Sequence, residues 1–147
     1  MLTSKECLKR FGMPTATVKW ETKVLTSWDV PSSINDIIHA LPNRIYCNQL
    51  MTAPLEKAFR NLIQRGYAHE LKTWDGCYNI RKKRGLNSLS IHSWGLAIDV
   101  NAAWNQLGKK PQLSREFANC FIEAGFDWGG DWQMPRTDGM HFQLKNI

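Results

Sequence analysis

The chain has no apolar run approaching the ~20 residues that span a bilayer. Its opening residues, Met1-Leu2-Thr3-Ser4-Lys5-Glu6-Cys7, hold no apolar segment of the kind a secretory signal requires. The expectation is therefore synthesis in a cytoplasm, without a signal peptide and without a transmembrane segment. Close cysteine pairs are also missing. Cys7, Cys47, Cys77 and Cys120 are scattered, which argues against a cysteine-only zinc site. In a reducing compartment the expected state is four free thiols. There is no internal repeat, no low-complexity tract and no linker, so one domain over residues 1–147 is expected. The basic run Arg81-Lys82-Lys83-Arg84 lacks interleaved aromatic residues, and no nucleic-acid motif accompanies it, so nucleic acid is not the expected partner.

What is present suits an ordinary globular core. The 147 residues are 43% hydrophobic and 22% charged, close to the average for such proteins and enough for a core without disulfide staples. The formal net charge of +6 points to an anionic partner such as nucleic acid, cell wall or a membrane surface, without choosing among them. Seven tryptophans are many for this length and serve core, groove or both.

Local patterns place the elements. Thr3-Ser4-Lys5-Glu6 fits a capping box and predicts a helix from about Ser4 to Phe11, stopped by Gly12 and Pro14. Thr17 to Thr26 is rich in β-branched and aromatic residues and reads as strand. Ile34, Ile37, Ile38 and Leu41 fall at helical spacing ahead of Pro42, and Arg44 to Asn48 reads as a short strand. Thr52 to Arg65 is the clearest helix, with Thr52 as cap, Pro54 in the first turn and Gly66 at the C′ position. Glu70–Trp74 and Cys77–Arg81 read as strands of a hairpin about Asp75-Gly76. Ala97 to Asn101 reads as a short buried strand. Ser114 caps a helix carrying Phe117, Phe121 and Ala124, ended by Gly125. Phe126–Trp128 and His141–Leu144 close the chain as strands. Strands and helices mix without regular βαβ alternation, which predicts an α+β fold with helices on a largely antiparallel sheet.

Two segments carry chemistry. In Ser90-Ile91-His92-Ser93-Trp94-Gly95-Leu96-Ala97-Ile98-Asp99, the carboxylate of Asp99 lies inside an apolar strand. A lone carboxylate there is costly, so it needs a cation, a metal or a ring of donors. His92 is a suitable co-ligand, although a structural His–Asp pair would explain these two residues equally well. In Asp138-Gly139-Met140-His141-Phe142-Gln143-Leu144, His141 opens a second apolar strand, with Asp138 one tight turn before it. Two histidines and one carboxylate make a three-ligand set suited to zinc, with a fourth position open. The remaining carboxylate can then act as a general base.

SxHxxGxAxD followed by a late DxxH resembles the M15 family of zinc peptidases. These include the D-alanyl-D-alanine carboxypeptidases and dipeptidases of the VanY and VanX kind and the phage L-alanyl-D-glutamate endolysins. The likeness extends over about Leu71 to Leu144 and includes the Trp-Gly element at Trp128-Gly129. It implies a Hedgehog/DD-peptidase-like α+β fold whose small antiparallel sheet carries Zn2+. His92, Asp99 and His141 would be the metal ligands. Asp138 would be the general base and then the acid. Arg81, with Arg84 as its competitor, would polarise the substrate carbonyl. Ser90 would orient a ligand or bind substrate, and Trp94, like Trp132, would wall the groove or pack the core. Gln143 departs from the family, where an acidic residue is common two positions after the second histidine. His39 and His69 lie outside both motifs.

The implied activity is hydrolysis of peptidoglycan stem peptides by a zinc-activated water. The expected form is a monomeric phage endolysin that cuts L-alanyl-D-glutamate and passes from the host bacterial cytoplasm to the wall through a separate membrane-permeabilising protein. A D-alanyl-D-alanine carboxypeptidase uses the same metal site and is the first alternative. A metal-stabilised wall-binding or virion module without turnover is the second. Residues 1–66 carry no catalytic motif, and residues 67–147 carry both.

Overall fold

The computed structural model describes all 147 residues. Helix α1 (Ser4–Phe11) begins with the anticipated capping box: Thr3 and Glu6 satisfy each other's backbone N–H. Helix α2 (Val18–Val24) and strand β1 (Leu25–Asp29) replace the single strand expected over Thr17–Thr26. The local reason is Thr17, whose hydroxyl accepts from the Trp20 N–H. The tertiary reason is that Trp20 and Val24, four residues apart, both pack inward. Together they override the β-propensity of the segment. A short helix α3 (Ser32–Asn35) continues as turns. Ile34, Ile38 and Leu41 are buried there, while Ile37 is exposed.

Strand β2 (Arg44–Asn48) pairs antiparallel with β1. Helix α4 (Thr52–Arg65) has the expected bounds and ends on Gly66 in the left-handed conformation. Its entry differs from expectation, because Thr52 makes no capping bond. Asn48 instead caps a preceding 3-10 turn, Gln49–Met51. The hairpin about Asp75-Gly76 does not form. Only β3 (Trp74–Gly76) is strand, and it pairs with β4 (Ala97–Val100). The backbone groups intended for the hairpin are used elsewhere. The Lys72 and Thr73 N–H groups donate to the Asn101 side chain. The Asn79 N–H donates to the His92 carbonyl, and the Ser90 N–H to the Arg81 carbonyl.

Helix α5 (Arg115–Ile122), capped by Ser114, leads to β5 (Phe126–Trp128) and β6 (His141–Leu144). The larger sheet is antiparallel in the order β3-β4-β6-β5. The fold is therefore α+β, with two small antiparallel sheets. No helix is long and apolar enough to cross a membrane.

Strand alternation sorts β6 into two faces. Phe142 packs on Phe121 of α5, with ring centroids 4.5 Å apart, and on Trp128 at 6.1 Å. Phe121 in turn meets Phe59 of α4. This aromatic stack backs the sheet and leaves His141 and Gln143 on the opposite face. The core that contains it draws on residues from Leu2 to Leu144.

Gly95 shows why the first motif needs a glycine. It ends the 3-10 turn Ile91–Trp94 with φ +67°, and an added Cβ would lie 2.7 Å from the Asn48 nitrogen. That nitrogen donates to the Gly95 carbonyl at 3.0 Å, so the two backbones cannot separate without losing the bond. Gly95→Ala is expected to cost about 2 kcal/mol or more, visible as a lowered Tm in thermal unfolding.

Candidate metal centre and its cleft

The cross-strand register builds the centre. Asp99 of β4 stands directly opposite His141 of β6, so their side chains share a face. His92 reaches the same point from the 3-10 turn before β4. Each of the three offers a ligand atom, and these atoms all lie within 4.8 Å of one another. The closest approaches are His92 Nε2 to Asp99 Oδ2 at 3.2 Å and His141 Nδ1 to Asp99 Oδ1 at 3.5 Å. Both imidazoles are buried.

The outer contacts settle which ring nitrogen is free. His92 Nδ1 lies 2.7 Å from the Cys77 carbonyl, which only accepts, so Nδ1 carries the proton and Nε2 keeps its lone pair. His141 Nε2 lies 2.8 Å from Gln143 Oε1, so there Nε2 carries the proton and Nδ1 faces the centre. The Ser90 hydroxyl accepts from the His92 N–H and so caps the turn that presents the ligand.

This donor set fits a metal ion. Four buried side-chain polar atoms have no partner, and three of them belong to the centre and its cleft: His92 Nε2, Asp99 Oδ1 and Asp138 Oδ1. Two neutral imidazoles and a carboxylate, each held from behind, make the ligand set of an open zinc site. Electrostatics agree with this. Burial pushes the Asp99 carboxyl up, but with no metal bound a proton on the inward nitrogens of His141 and His92 lets their hydrogen bonds and charge outweigh it and hold it well below the ordinary range. Burial lowers the basicity of His141, and its contact with Asp99 raises it above the usual histidine range.

Asp138 stands apart from the ligands in a cleft of about 580 Å³ that also exposes Asp99 and His141. Burial raises its carboxyl above the usual range, and the Asp99 charge adds to this against the pull of His141, Arg84 and His92. Its loop is clamped by the Trp-Gly element. The Trp128 indole N–H donates to the Gly139 carbonyl at 2.8 Å, and the Asp138 N–H donates to the Gly129 carbonyl at 2.9 Å. A Cβ on Gly129 would come within 2.3 Å of the Asp138 carbonyl oxygen. Gly129→Ala must therefore displace the aspartate. Small misplacements of a group that acts on substrate are costly, so any turnover that depends on Asp138 is expected to fall at least tenfold in kcat. Metal content by atomic absorption should stay unchanged.

The other anticipated residues divide. The Arg81 guanidinium lies 3.8 Å from Asp99 Oδ2, is 38% exposed and lines the cleft. Arg84 also lines the cleft, but its carbonyl oxygen accepts from Arg136. Trp94 is not a groove wall. It is fully buried, and its indole N–H donates to the Gly12 carbonyl at 2.9 Å. The apolar floor beneath the ligand turn takes the ring that proximity to His92 had suggested for substrate. Trp132 does line the cleft, 5.2 Å from the His141 ring. His39 and His69 lie outside the cluster. The four cysteines are free and buried. Burial pushes the Cys7 and Cys47 thiols up to about 12 and holds Cys77 well above the ordinary thiol range, which excludes them as thiolate nucleophiles at neutral pH.

Four contributors are not legible from motif spacing. The Cys77 carbonyl is a backbone group and leaves no residue signature. Lys83 and Arg136 join Arg81 and Arg84 around the cleft, and of these only Arg136 sits near the second motif. Leu2 also lines the cleft, and nothing in its sequence context marks it.

A family model described as D-alanyl-D-alanine carboxypeptidase matches residues 83–144. The match is under half of the chain and takes in His92, Asp99, Asp138 and His141, while Arg81 lies just outside it. No curated protein and no solved structure matches the chain.

Proposed function

We propose, for a chain whose residues 83–144 match a family model of M15 peptidases, a zinc-dependent hydrolase of peptidoglycan stem peptides. The observation that carries this reading is the buried triad His92, Asp99 and His141, with both tautomers fixed and Asp138 beside it. Zinc held there would supply a Lewis acid and an activated nucleophilic water. The protein's own groups supply the rest. Asp138, with its raised pKa, takes the proton of the nucleophile and returns it to the leaving amine. Arg81 engages Asp99 only at 3.8 Å, so its guanidinium is available to hold the negative charge that develops on the substrate carbonyl oxygen. Trp128 and Gly129 keep the aspartate in place.

Charge supports the substrate class. The cleft lining holds the cations Arg81, Lys83, Arg84 and Arg136. None of the last three makes an ion pair, whereas Asp131 at the rim is paired with Arg115. An L-alanyl-D-glutamate bond and a D-alanyl-D-alanine bond share one feature: the carbon that bears the leaving nitrogen also bears a carboxylate. A cationic cleft suits either. We favour the L-alanyl-D-glutamate endopeptidase of a phage endolysin. The matched family's description favours the carboxypeptidase as second reading.

The test is mass spectrometry of purified peptidoglycan after digestion by zinc-loaded and chelator-treated protein. Zinc-dependent stem peptides with a new D-glutamate amino terminus are the expected products. Release of single D-alanine would establish the carboxypeptidase instead. No cleavage by folded, zinc-loaded protein would overturn both and leave a metal-stabilised binding module.

A further inference from the structure

Gln143 is buried and has two partners. Its Oε1 accepts from His141 Nε2 at 2.8 Å, and its Nε2 donates to the Leu2 carbonyl at 3.1 Å. The second contact determines the first. A backbone carbonyl only accepts, so the amide nitrogen must face Leu2 and the amide oxygen must face His141. His141 then has to donate from Nε2, which leaves the Nδ1 lone pair for the metal. The tautomer of a candidate ligand is thus fixed by a backbone group at residue 2. The same N-terminal strap is fastened near the centre at two further points. The Ser4 hydroxyl donates to the Leu89 carbonyl at 2.6 Å, and the Gly12 carbonyl accepts from Trp94 at 2.9 Å. Leu89 directly precedes Ser90, and Trp94 ends the turn that carries His92. Leu2 is itself buried.

We infer that Gln143 is a two-ended positioning residue that couples the N-terminal strap, residues 2–12, to metal binding. The inference rests on the proposed metal centre. Glutamine is suited to this role because it has a donor and an acceptor on one planar group. A carboxylate at 143 would still accept from His141 but would turn an oxygen toward the Leu2 carbonyl. A leucine would do neither. Linkage makes the coupling reciprocal: if the strap favours the metal-binding geometry, bound metal must protect the strap.

The experiment compares wild type, Gln143→Glu and Gln143→Leu by two readouts that need no substrate. Zinc affinity is measured by competition with a chromophoric chelator, and amide hydrogen exchange over residues 2–12 is followed with and without zinc. Wild type should show slower exchange in the strap when zinc is bound. Gln143→Leu should weaken zinc binding by about 10- to 100-fold, as expected for loss of an outer contact to a ligand, and should lose the zinc-dependent protection. Gln143→Glu should hold zinc within a few-fold of wild type yet lose the protection, because it keeps only one of the two bonds. If Gln143→Leu does not fold, the Glu variant alone decides, since a purely structural residue would not separate affinity from protection. Zinc affinity unchanged in Gln143→Leu, or strap exchange in wild type indifferent to zinc, would overturn the inference while leaving the metal centre standing. A wild-type protein that binds no zinc would overturn both.

Discussion

Asp138→Asn is expected to lower kcat by 10²- to 10⁴-fold, the usual range for one general acid–base group, while zinc binding stays at the wild-type level. Asparagine has the same shape and leaves the loop's backbone bonds to Gly129 and Trp128 available. The loss would therefore report the missing proton acceptor and not a collapsed loop. The same substitution carries a stability signature in the metal-free protein. Burial first, then the Asp99 charge, raises the Asp138 carboxyl. Its folded-state pKa lies above its unfolded one, so its contribution is fully present below the ordinary carboxylate range. That contribution is lost as pH rises through the raised value. Above that window the ionised group destabilises the fold, and Asp138→Asn removes the cost. Denaturant unfolding of metal-free protein should show the variant more stable than wild type near neutral pH, with the advantage shrinking on acidification. Activity should move the opposite way in wild type, falling as acid protonates Asp138. A variant that keeps full turnover would exclude Asp138 as the base. A binding module would be indifferent to the change in function and would show only the stability effect.

The elements legible from the sequence are those whose signals are local. The capping box Thr3/Glu6, the Gly66 stop of α4 and the Ser114 cap of α5 act within a few residues of themselves, and the structure follows them. The errors arise where distant groups decide. Thr17–Thr26 has the composition of a strand, but Trp20 and Val24 find the core together only as a helix. The expected hairpin around Asp75-Gly76 fails because the Asn101 side chain and the ligand turn take its backbone hydrogen bonds. A dipeptide reading cannot see either partner.

That His92, Asp99 and His141 come together is legible for a different reason. His92, Asp99 and His141 belong to two short motifs, and strand pairing between β4 and β6 turns sequence distance into cross-strand contact. The function of Gly95 is also implicit there, since a tight left-handed turn against Asn48 admits no side chain. Trp94 shows the limit of that reasoning. Adjacency to a ligand suggested a groove wall, but in a 3-10 turn the side chains two residues apart leave in different directions. His92 turns to Asp99 and His141, and Trp94 turns to the core.

Asp99→Asn is expected to abolish turnover and to weaken zinc binding by at least 10²-fold, because it removes the only anionic ligand of the three and leaves two neutral imidazoles. The structure makes a second consequence follow in the metal-free protein. There the inward nitrogens of His141 and His92 take the protons that a metal would displace, and their hydrogen bonds and charge hold the Asp99 carboxyl well below its ordinary range against its burial. A group depressed on folding contributes stability that is present above its unfolded pKa and is lost as pH falls toward the folded value. Metal-free wild type should accordingly lose stability through the acid range, and Asp99→Asn should flatten that part of the curve. Zinc then acts in the opposite sense to acid. A ligand that binds only the folded state adds about 4 kcal/mol at a thousandfold excess over its Kd, so wild type should gain strongly in Tm when zinc is added and Asp99→Asn should not. Thermal unfolding with and without a chelator separates the two contributions. The chelator should leave Asp99→Asn unmoved and return wild type to the stability of its metal-free form, with the pH dependence of the carboxylate restored. A wild-type Tm that ignores both zinc and chelator would mean that the three side chains are a buried polar cluster, and the hydrolytic reading would lose the group on which Asp138 and Arg81 depend.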